Sequence, residues 1–337
     1  MNPKRYTECS KTKIIDGLAF RHFNDESDYQ LMLDLYNATK KTNCIDWTST
    51  LKDMKNDEKW RKHYDINQQL LFVEMNEKPI GYFQYNWFEE DEGEMIHSLG
   101  GTLLENYFNT GIPEAILSFA ERKLKEMTEN IPAKKEKLFS VWRMQSAERQ
   151  VDFFKANGYQ PVRYFFEMLR PINKPLDEHH MPEGLEIREV KPEHHRKIWE
   201  AEHEAFRDHW GSSEPTEDQY EAWSTDRLFR PRFWKVAWEG DEICGMVGNF
   251  FDEKENKEFN RQRGYTEDIF VRRPWRKRGL AKALIAESIR MFKDMGMTET
   301  ALGVDAENPS GALKLYTDMG YKEEKDKTSI VLRKKVA

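Results

Sequence analysis

Hydrophobic residues along the chain follow two spacings, which predict strands in some stretches and helices in others. Short apolar or alternating runs indicate strands, and they occur at residues 18–22, 69–74, 80–87, 137–142, 162–169, 185–190, 233–247, 269–271, 299–304 and 328–333. Apolar residues at helical spacing indicate amphipathic helices, and they occur at residues 28–36, 115–124, 149–156, 194–206, 280–295 and 310–319. Strands and helices therefore interleave along the whole chain, which predicts an α+β fold.

The two halves of the chain repeat the same order of elements at an offset of about 165 residues. Glycines mark the correspondence: Gly81 matches Gly245, Gly111 matches Gly279, and the pair Gly158-Tyr159 matches Gly320-Tyr321. A repeat of this length indicates a duplicated domain rather than a solenoid.

A linker is predicted between the two copies. The stretch from Arg170 to Gly184 contains three prolines and many polar residues, and it interrupts every hydrophobic period. We therefore expect a tail at residues 1–14, a first domain at 15–172, a linker at 173–184 and a second domain at 185–337.

Composition excludes several classes of function. The chain has 337 residues and a formal charge of -7, which does not suit a general nucleic-acid-binding surface. The longest apolar stretches are too short to span a bilayer, and no signal peptide is predicted. Cys9, Cys44 and Cys244 lie far apart and suggest a reducing cytoplasm. The pair His179-His180 lacks spaced carboxylates or thiols, so no metal site is expected.

One stretch combines a strand, a basic turn and the start of a helix. Ile269, Phe270 and Val271 suit a buried strand, which Pro274 ends. The helix that follows presents an apolar face, formed by Leu280, Leu284, Met291, Phe292 and Met295. Unpaired amides and the helix dipole make such a helix start an anion site, so the turn is predicted to hold a phosphate.

Two sequence blocks in the second half resemble the GNAT N-acetyltransferase superfamily. The stretch Arg276-Lys-Arg-Gly-Leu-Ala281 resembles the (Q/R)xxGx(G/A) signature, and residues 308–321 resemble a second block, NxxAxxLYxxxGF. The resemblance covers nearly all of the second half, whereas the first half is similar only in the order of its elements. It implies two tandem acyl-CoA N-acyltransferase (GNAT) domains, as in mycothiol synthases. Each would be a mixed, mostly antiparallel sheet flanked by helices (α/β/α).

The resemblance also implies acetyl-CoA as the donor and coenzyme A as a product. Backbone amides would cradle the pyrophosphate, at Arg276, Lys277, Arg278, Gly279, Leu280 and Ala281. The backbone of Ile269, Phe270 and Val271 would bind the pantetheine arm and polarise the thioester carbonyl. Asn308 corresponds to an asparagine beside the arm, and Tyr316 to the tyrosine that protonates the leaving thiolate.

Acetyl transfer to an amine also needs a base. Glu267 is the candidate, acting directly or through water. Many relatives have their strand glutamate two residues earlier, where this chain has Tyr265. Glu267 keeps the same strand parity, and Asp268 points the other way unless a bulge intervenes. The alternatives are that Glu267 is a polar strand residue, Tyr316 a core tyrosine and the basic turn a solvated surface.

The acceptor is predicted to meet a loop after the first helix of the second half, formed by Asp208, His209 and Trp210. His209 would be a base or an acceptor contact, or else an exposed loop residue.

The first half lacks the features that would hold the cofactor. Aligned on Gly111, residues 108–110 are Phe, Asn and Thr instead of basic residues, and Pro113 removes an amide donor. The residue that matches Tyr316 is Phe154, which has no hydroxyl. This half is therefore predicted not to catalyse, but to pack against the active half and close part of the acceptor site.

The sequence therefore predicts an acetyl-CoA-dependent N-acetyltransferase. It would transfer acetyl to a primary amine of a small molecule or peptide by direct attack in a ternary complex. One alternative is a non-catalytic acyl-CoA sensor or scaffold. Another is an aminoacyl-transferase of the duplicated fold, which is less favoured because the chain lacks a broad basic face for tRNA.

Overall fold

The computed structural model describes residues 5–7, 15–308 and 310–337, so the predicted tail lies largely outside the described residues. The strands are β1 (Tyr6–Thr7), β2 (Leu18–His22), β3 (Leu70–Met75), β4 (Lys78–Glu89), β5 (Met95–Leu103), β6 (Lys137–Met144), β7 (Gln160–Pro171), β8 (Glu186–Arg188), β9 (Lys235–Glu239), β10 (Glu242–Phe250), β11 (Arg263–Val271), β12 (Glu299–Asp305), β13 (Lys322–Glu323) and β14 (Ser329–Lys335). The helices are α1 (Ser27–Thr39), α2 (Leu51–Trp60), α3 (Ile66–Gln69), α4 (Ile112–Thr128), α5 (Glu148–Ala156), α6 (His195–Phe206), α7 (Glu217–Ser224), α8 (Glu253–Glu258), α9 (Leu280–Asp294) and α10 (Ala312–Asp318).

The chain forms two compact units whose limits differ from the two halves of the sequence. The first unit contains residues 1–162 and 330–337, and the second contains residues 163–329. Most of β7 therefore belongs to the second unit, where residues 165–171 pair with β12. Most of β14 belongs to the first unit, beside β6. Each unit thus takes a strand from the other half of the sequence.

In the first unit the strand order is β1-β2-β3-β4-β5-β6-β14. The first five strands are antiparallel neighbours, and β5 and β6 are parallel. Helix α4 buries Ala115, Phe119, Ala120 and Leu124, as its apolar spacing predicts. Phe119 packs edge-on against Phe20 of β2 and Phe83 of β4, which holds the helix on the sheet.

In the second unit the order is β7-β12-β11-β10-β9-β8, with β13 also paired to β7. Here β11 and β12 are parallel, and the other described pairs are antiparallel. The predicted fold class, a mixed and mostly antiparallel sheet flanked by helices, is confirmed. None of the helices in the described ranges has the length and apolar character needed to cross a membrane.

Helix α9 packs on the sheet of the second unit through Leu280, Leu284 and Phe292, which are buried. The prediction that Met295 shares this buried face is wrong, because the helix ends at Asp294 and Met295 is 37% exposed. The C-terminal limit of the helix, rather than its periodicity, decides the position of that side chain.

Candidate active site

The strands β11 and β12 are paired only at their first residues. The parallel register joins residues 263–265 to residues 299–301, and beyond this point the two strands diverge. The space between residues 266–271 and 302–305 is called the C-terminal wedge here. Thr266 Oγ1 donates to Ala301 O (3.2 Å) where the wedge begins. A diverging strand edge leaves main-chain donors and acceptors available to a ligand.

A bulge in β11 sets the direction of the carboxylates beside the wedge. The register with β10 shifts between Met246 and Gly248, and Asp268 adopts a φ of 48°. Glu267 points into the wedge, where its Oε1 accepts a hydrogen bond from Gly303 N (2.9 Å). Asp268 lies over Gly248, where an added Cβ would come within 3.1 Å of Asp268 Oδ2. The bulge that the sequence analysis left open is therefore present.

A cavity of about 500 Å³ joins the end of β11 to the start of α9. It is lined by Ala205, Phe206, His209, Ile269, Phe270, Val271, Trp275, Arg276, Lys277, Gly279, Leu280, Ala281, Lys282, Ser310, Gly311, Ala312, Leu315 and Tyr316. The structure thus brings together the sequence-predicted donor site and the predicted acid. Of the predicted cofactor residues, Arg278 and Asn308 are not part of this lining.

The start of α9 forms the anion-binding part of the cavity. Gly279 caps the helix with a φ of 87°, a left-handed conformation that favours glycine. Ala283 is the residue whose N–H donates to Gly279 O (3.1 Å), so the amides of residues 280–282 precede the intrahelical hydrogen bonds. These amides and the dipole of a 15-residue helix favour a negatively charged group.

The basic side chains of the turn have different surroundings. Arg276 donates to Val271 O (2.9 Å) and to Ala205 O (3.2 Å), so it holds the strand end against the end of α6. Arg278 donates to Glu183 O (3.0 Å). Lys277 and Lys282 add two ammonium groups to the cavity lining, and Lys282 Nζ lies 4.0 Å from Asp318 Oδ2. Lys282 was missed because it lies beyond the motif, on the first turn of the helix.

The remaining predicted residues occupy distinct places. Asn308 Oδ1 accepts from Ser310 N (2.8 Å) and from Ser310 Oγ (2.6 Å), which forms a local turn before α10. Asp208 accepts both of its hydrogen bonds from Arg273 (2.7 Å each), and the ring of Trp210 faces the guanidinium of Arg163.

His209 is the member of the predicted acceptor loop that lines the cavity. Its ring packs edge-on against Phe206, with 4.5 Å between ring centroids. Burial lowers the pKa of His209, so its imidazole is neutral near pH 7. A neutral ring is able to accept a proton or a hydrogen bond from an acceptor amine.

The pKa values of Glu267 and Tyr316 are both raised. Burial, aided by the negative charge of Asp268, raises the pKa of Glu267 to about 8, although the Gly303 amide opposes the shift. Burial also raises the pKa of Tyr316, and the neighbouring charge of Glu267 adds to this effect. The phenol therefore keeps its proton near neutral pH, while a base with a pKa near 8 is matched to proton transfer.

Tyr265 stands where many relatives have a glutamate, and its role here is structural. Its hydroxyl donates to Glu255 Oε1 (2.6 Å), and its ring stacks on Phe250 with 5.0 Å between centroids. Tyr265 is thus engaged away from Gly303, and Glu267 provides the carboxylate in the wedge.

Glu202 is a candidate functional residue that the sequence analysis missed. It lies on the buried face of α6, between Ile198 and Ala205, and is 9% exposed. Within the described part of the chain, its Oε2 is buried without a hydrogen-bond partner. Burial, together with the charge of Asp268, raises the pKa of Glu202. The signal was present in the sequence as a glutamate four residues after Ile198 on an apolar helix face.

The mixed sheet, the wedge between diverging parallel strands and the helix start at its end are arranged as in the GNAT fold. Residues 195–321 match the model of the acetyltransferase (GNAT) family. This match confirms the resemblance drawn from the two sequence blocks, for a stretch that covers less than half of the chain.

Similar proteins extend this result. Over 173 residues the chain is 26% identical to mycothiol acetyltransferase of Thermobispora bispora, a match that takes in 49% of this chain and 55% of that protein. The chain thus spans about half the length of this curated relative.

Two solved structures show the tandem fold. A GCN5-related N-acetyltransferase from Sphaerobacter thermophilus has a TM-score of 0.68 at 21% identity, covering 96% of this chain and 97% of that one. A tandem GNAT protein from the clavulanic acid biosynthesis pathway has a TM-score of 0.63 at 11% identity, covering 95% and 99%. At such identities the likeness shows that the fold extends over both units.

Proposed function

We propose that the protein is an acetyl-CoA-dependent N-acetyltransferase that modifies a primary amine of a small molecule or peptide in a ternary complex. The observation that carries the proposal is the cavity that the start of α9 shares with Tyr316, beside the wedge that holds Glu267. The residues fit the cofactor because amides of residues 280–282 and the ammonium groups of Lys277 and Lys282 suit a diphosphate. Gly279 also leaves open space where a side chain would stand.

Acetyl-CoA, when bound, supplies an activated thioester carbonyl. An acceptor amine with a pKa of ~10 enters as an ammonium group and must lose a proton before it attacks. Glu267 Oε2 takes this proton, directly or through water, because Oε1 is held by the Gly303 amide. Tyr316 Oη gives a proton to the leaving sulfur. Asp268 places a further carboxylate beside Glu267, which favours a cationic acceptor.

The proposal is tested by measuring thiol release from acetyl-CoA with a panel of amines, including polyamines, amino sugars and peptides with free N-termini. We expect turnover with at least one cationic amine, and calorimetric binding of coenzyme A. Coenzyme A binding without turnover on any amine would favour a sensor instead. Absence of both binding and turnover would contradict the proposal.

The Tyr316→Phe variant separates catalysis from binding. We expect coenzyme A to bind as in the wild type, because the ring and its packing are kept, while kcat falls about 10- to 100-fold through loss of the acid. The expected fall is moderate because a thiolate is an adequate leaving group. Calorimetry and steady-state kinetics measure the two quantities, and a parallel loss of binding would show that Tyr316 is a structural residue.

A further inference from the structure

The first unit contains its own wedge between parallel strands. The register of β5 and β6 joins residues 95–98 to residues 137–140, and the strands then diverge. The space between residues 99–103 and 141–144 is called the N-terminal wedge here. The pairing of β4 with β5 continues without a bulge from Gly81 to Glu89. The N-terminal wedge therefore lacks the bulge that directs the carboxylates beside the C-terminal wedge.

The residues beside this wedge differ in chemistry from those in the second unit. Counted from the helix-capping glycines Gly111 and Gly279, Leu99 takes the place of Glu267. Counted from Gly158 and Gly320, Phe154 takes the place of Tyr316. Both replacements line a narrow cavity of about 60 Å³. The base and the acid are thus replaced by apolar side chains, so this cavity is suited to binding rather than to acyl transfer.

The narrow cavity adjoins a wider one. Phe108 and Phe153 line both the narrow cavity and a neighbouring cavity of about 840 Å³.

Arg143 provides a cation at the narrow cavity. Its Nη1 donates to Trp142 O (2.7 Å), and its guanidinium carbon lies 4.8 Å from the centroid of the Phe154 ring. Within the described residues, its Nε is buried without a hydrogen-bond partner, and no carboxylate forms an ion pair with it. Arg143 is half-buried, and this burial lowers its pKa to about 10.

Other arginines with buried guanidinium atoms have polar or acidic partners. Arg261 and Arg333 also have a buried Nε without a hydrogen-bond partner, but each is paired with a carboxylate, of Glu255 and Glu90. Arg21 is paired with Asp28 and Glu74 (2.8 Å each). Arg170 donates to four carbonyl oxygens through Nε, Nη1 and Nη2. A buried charge without such partners is unfavourable. Arg143 is therefore explained best by a partner that comes from solution.

We propose that the N-terminal wedge binds a small organic carboxylate, whose oxygens meet the guanidinium of Arg143. The planar fork of arginine matches a carboxylate. Apolar side chains beside it, including Leu117, Phe153 and Phe154, suit a short hydrocarbon body. Arg143 is the one cationic side chain on the narrow cavity's described lining, which disfavours phosphate and other polyanions.

Calorimetry on the full chain with butyrate, butyramide and inorganic phosphate tests the proposal. We expect butyrate to bind at one site at least tenfold more tightly than butyramide or phosphate. Butyramide has no charge, and phosphate is tetrahedral, so neither forms the charged planar pair with the guanidinium fork. Binding should persist with coenzyme A present, since the two sites are distinct. Equal binding of butyramide, tighter binding of phosphate, or no binding of butyrate up to about 10 mM would overturn the proposal.

The Arg143→Met variant should weaken butyrate binding at least tenfold, and Arg143→Lys should weaken it less, because lysine keeps the charge but not the fork. Arg122→Met is the matched control, since Arg122 lies on the exposed face of α4 with Glu126, and it should bind butyrate as the wild type does. If Arg143→Met does not fold, the lysine variant and a shift of the Arg143 Nε–H resonance on adding butyrate decide the question. An unshifted resonance, or unchanged binding in a folded Arg143→Met variant, would refute the assignment.

Discussion

Replacing Glu267 by glutamine will slow acetyl transfer by about 10²- to 10⁴-fold, the range typical for loss of a general base. In the wild type, kcat/KM should rise with pH through the pKa of Glu267, which is about 8. This rise of kcat/KM near pH 8 should be absent in the Glu267→Gln variant. Asp268→Asn is the informative companion, because asparagine also tolerates the left-handed conformation at position 268. The Asp268→Asn variant should keep the rise of kcat/KM with pH, but at lower pH, because the charge of Asp268 helps to raise the pKa of Glu267.

The Glu267→Gln variant should be more stable than the wild type at high pH, although it is less active. The folded protein holds the Glu267 proton up to about pH 8, whereas the unfolded chain releases it near pH 4.5. Stability therefore falls as pH rises between these values, because the folded state binds more protons. Glu267→Gln removes this loss, and we expect it to be about 1–3 kcal/mol more stable at pH 9 than the wild type, a range reduced for partial exposure.

Urea unfolding at pH 4 and pH 9 checks this, with equal stabilities expected at pH 4. A variant with the wild-type rate and pH profile would place the base elsewhere, and His209 would then be the next residue to replace.

Replacing Gly279 by aspartate should weaken coenzyme A binding more than 100-fold. The φ of 87° disfavours any side chain, and a carboxylate at the start of α9 would repel a diphosphate held by the same amides. Gly279→Asn is the matched control, because it has the same shape, no charge and the best tolerance of left-handed backbone after glycine. We expect it to weaken binding less than tenfold in calorimetry. Equal losses in the two variants would mean that backbone strain, not charge, controls the site.

The parts of the site that lie close together in the sequence were predictable. The turn at Gly279 and the tyrosine at position 316 belong to short motifs whose geometry is local, and the structure places both on one cavity. The hydrogen-bond acceptors of the Arg276 side chain were not predictable, because they include Ala205 O, a main-chain group 71 residues away. The charge of Asp268 beside Glu202 was hidden for the same reason, because the two residues are far apart in the sequence, although the polar side chain of Glu202 on an apolar helix face was visible.

Several elements escaped prediction because their local signals are weak. The bulge at Asp268 is a single left-handed residue in a strand, and it leaves no mark in the hydrophobic period. Strand β5 contains Gly100 and Gly101, which read as a turn. Helix α2 has the sequence LKDMKNDEKW, in which few apolar residues mark a face. Its clearest signal is the capping box of Thr50 and Asp53.

The exchange of strands between the two units constrains the order in which the protein folds during synthesis. Seven residues of β7 pair with β12, which is synthesised more than 120 residues later. A chain that begins at residue 185 therefore lacks one strand of the second unit. The first unit receives residues 330–337 only after residues 163–329 of the second unit have been made. The strand position beside β6 is therefore unfilled during that time, and an unpaired strand edge is prone to pair with other chains.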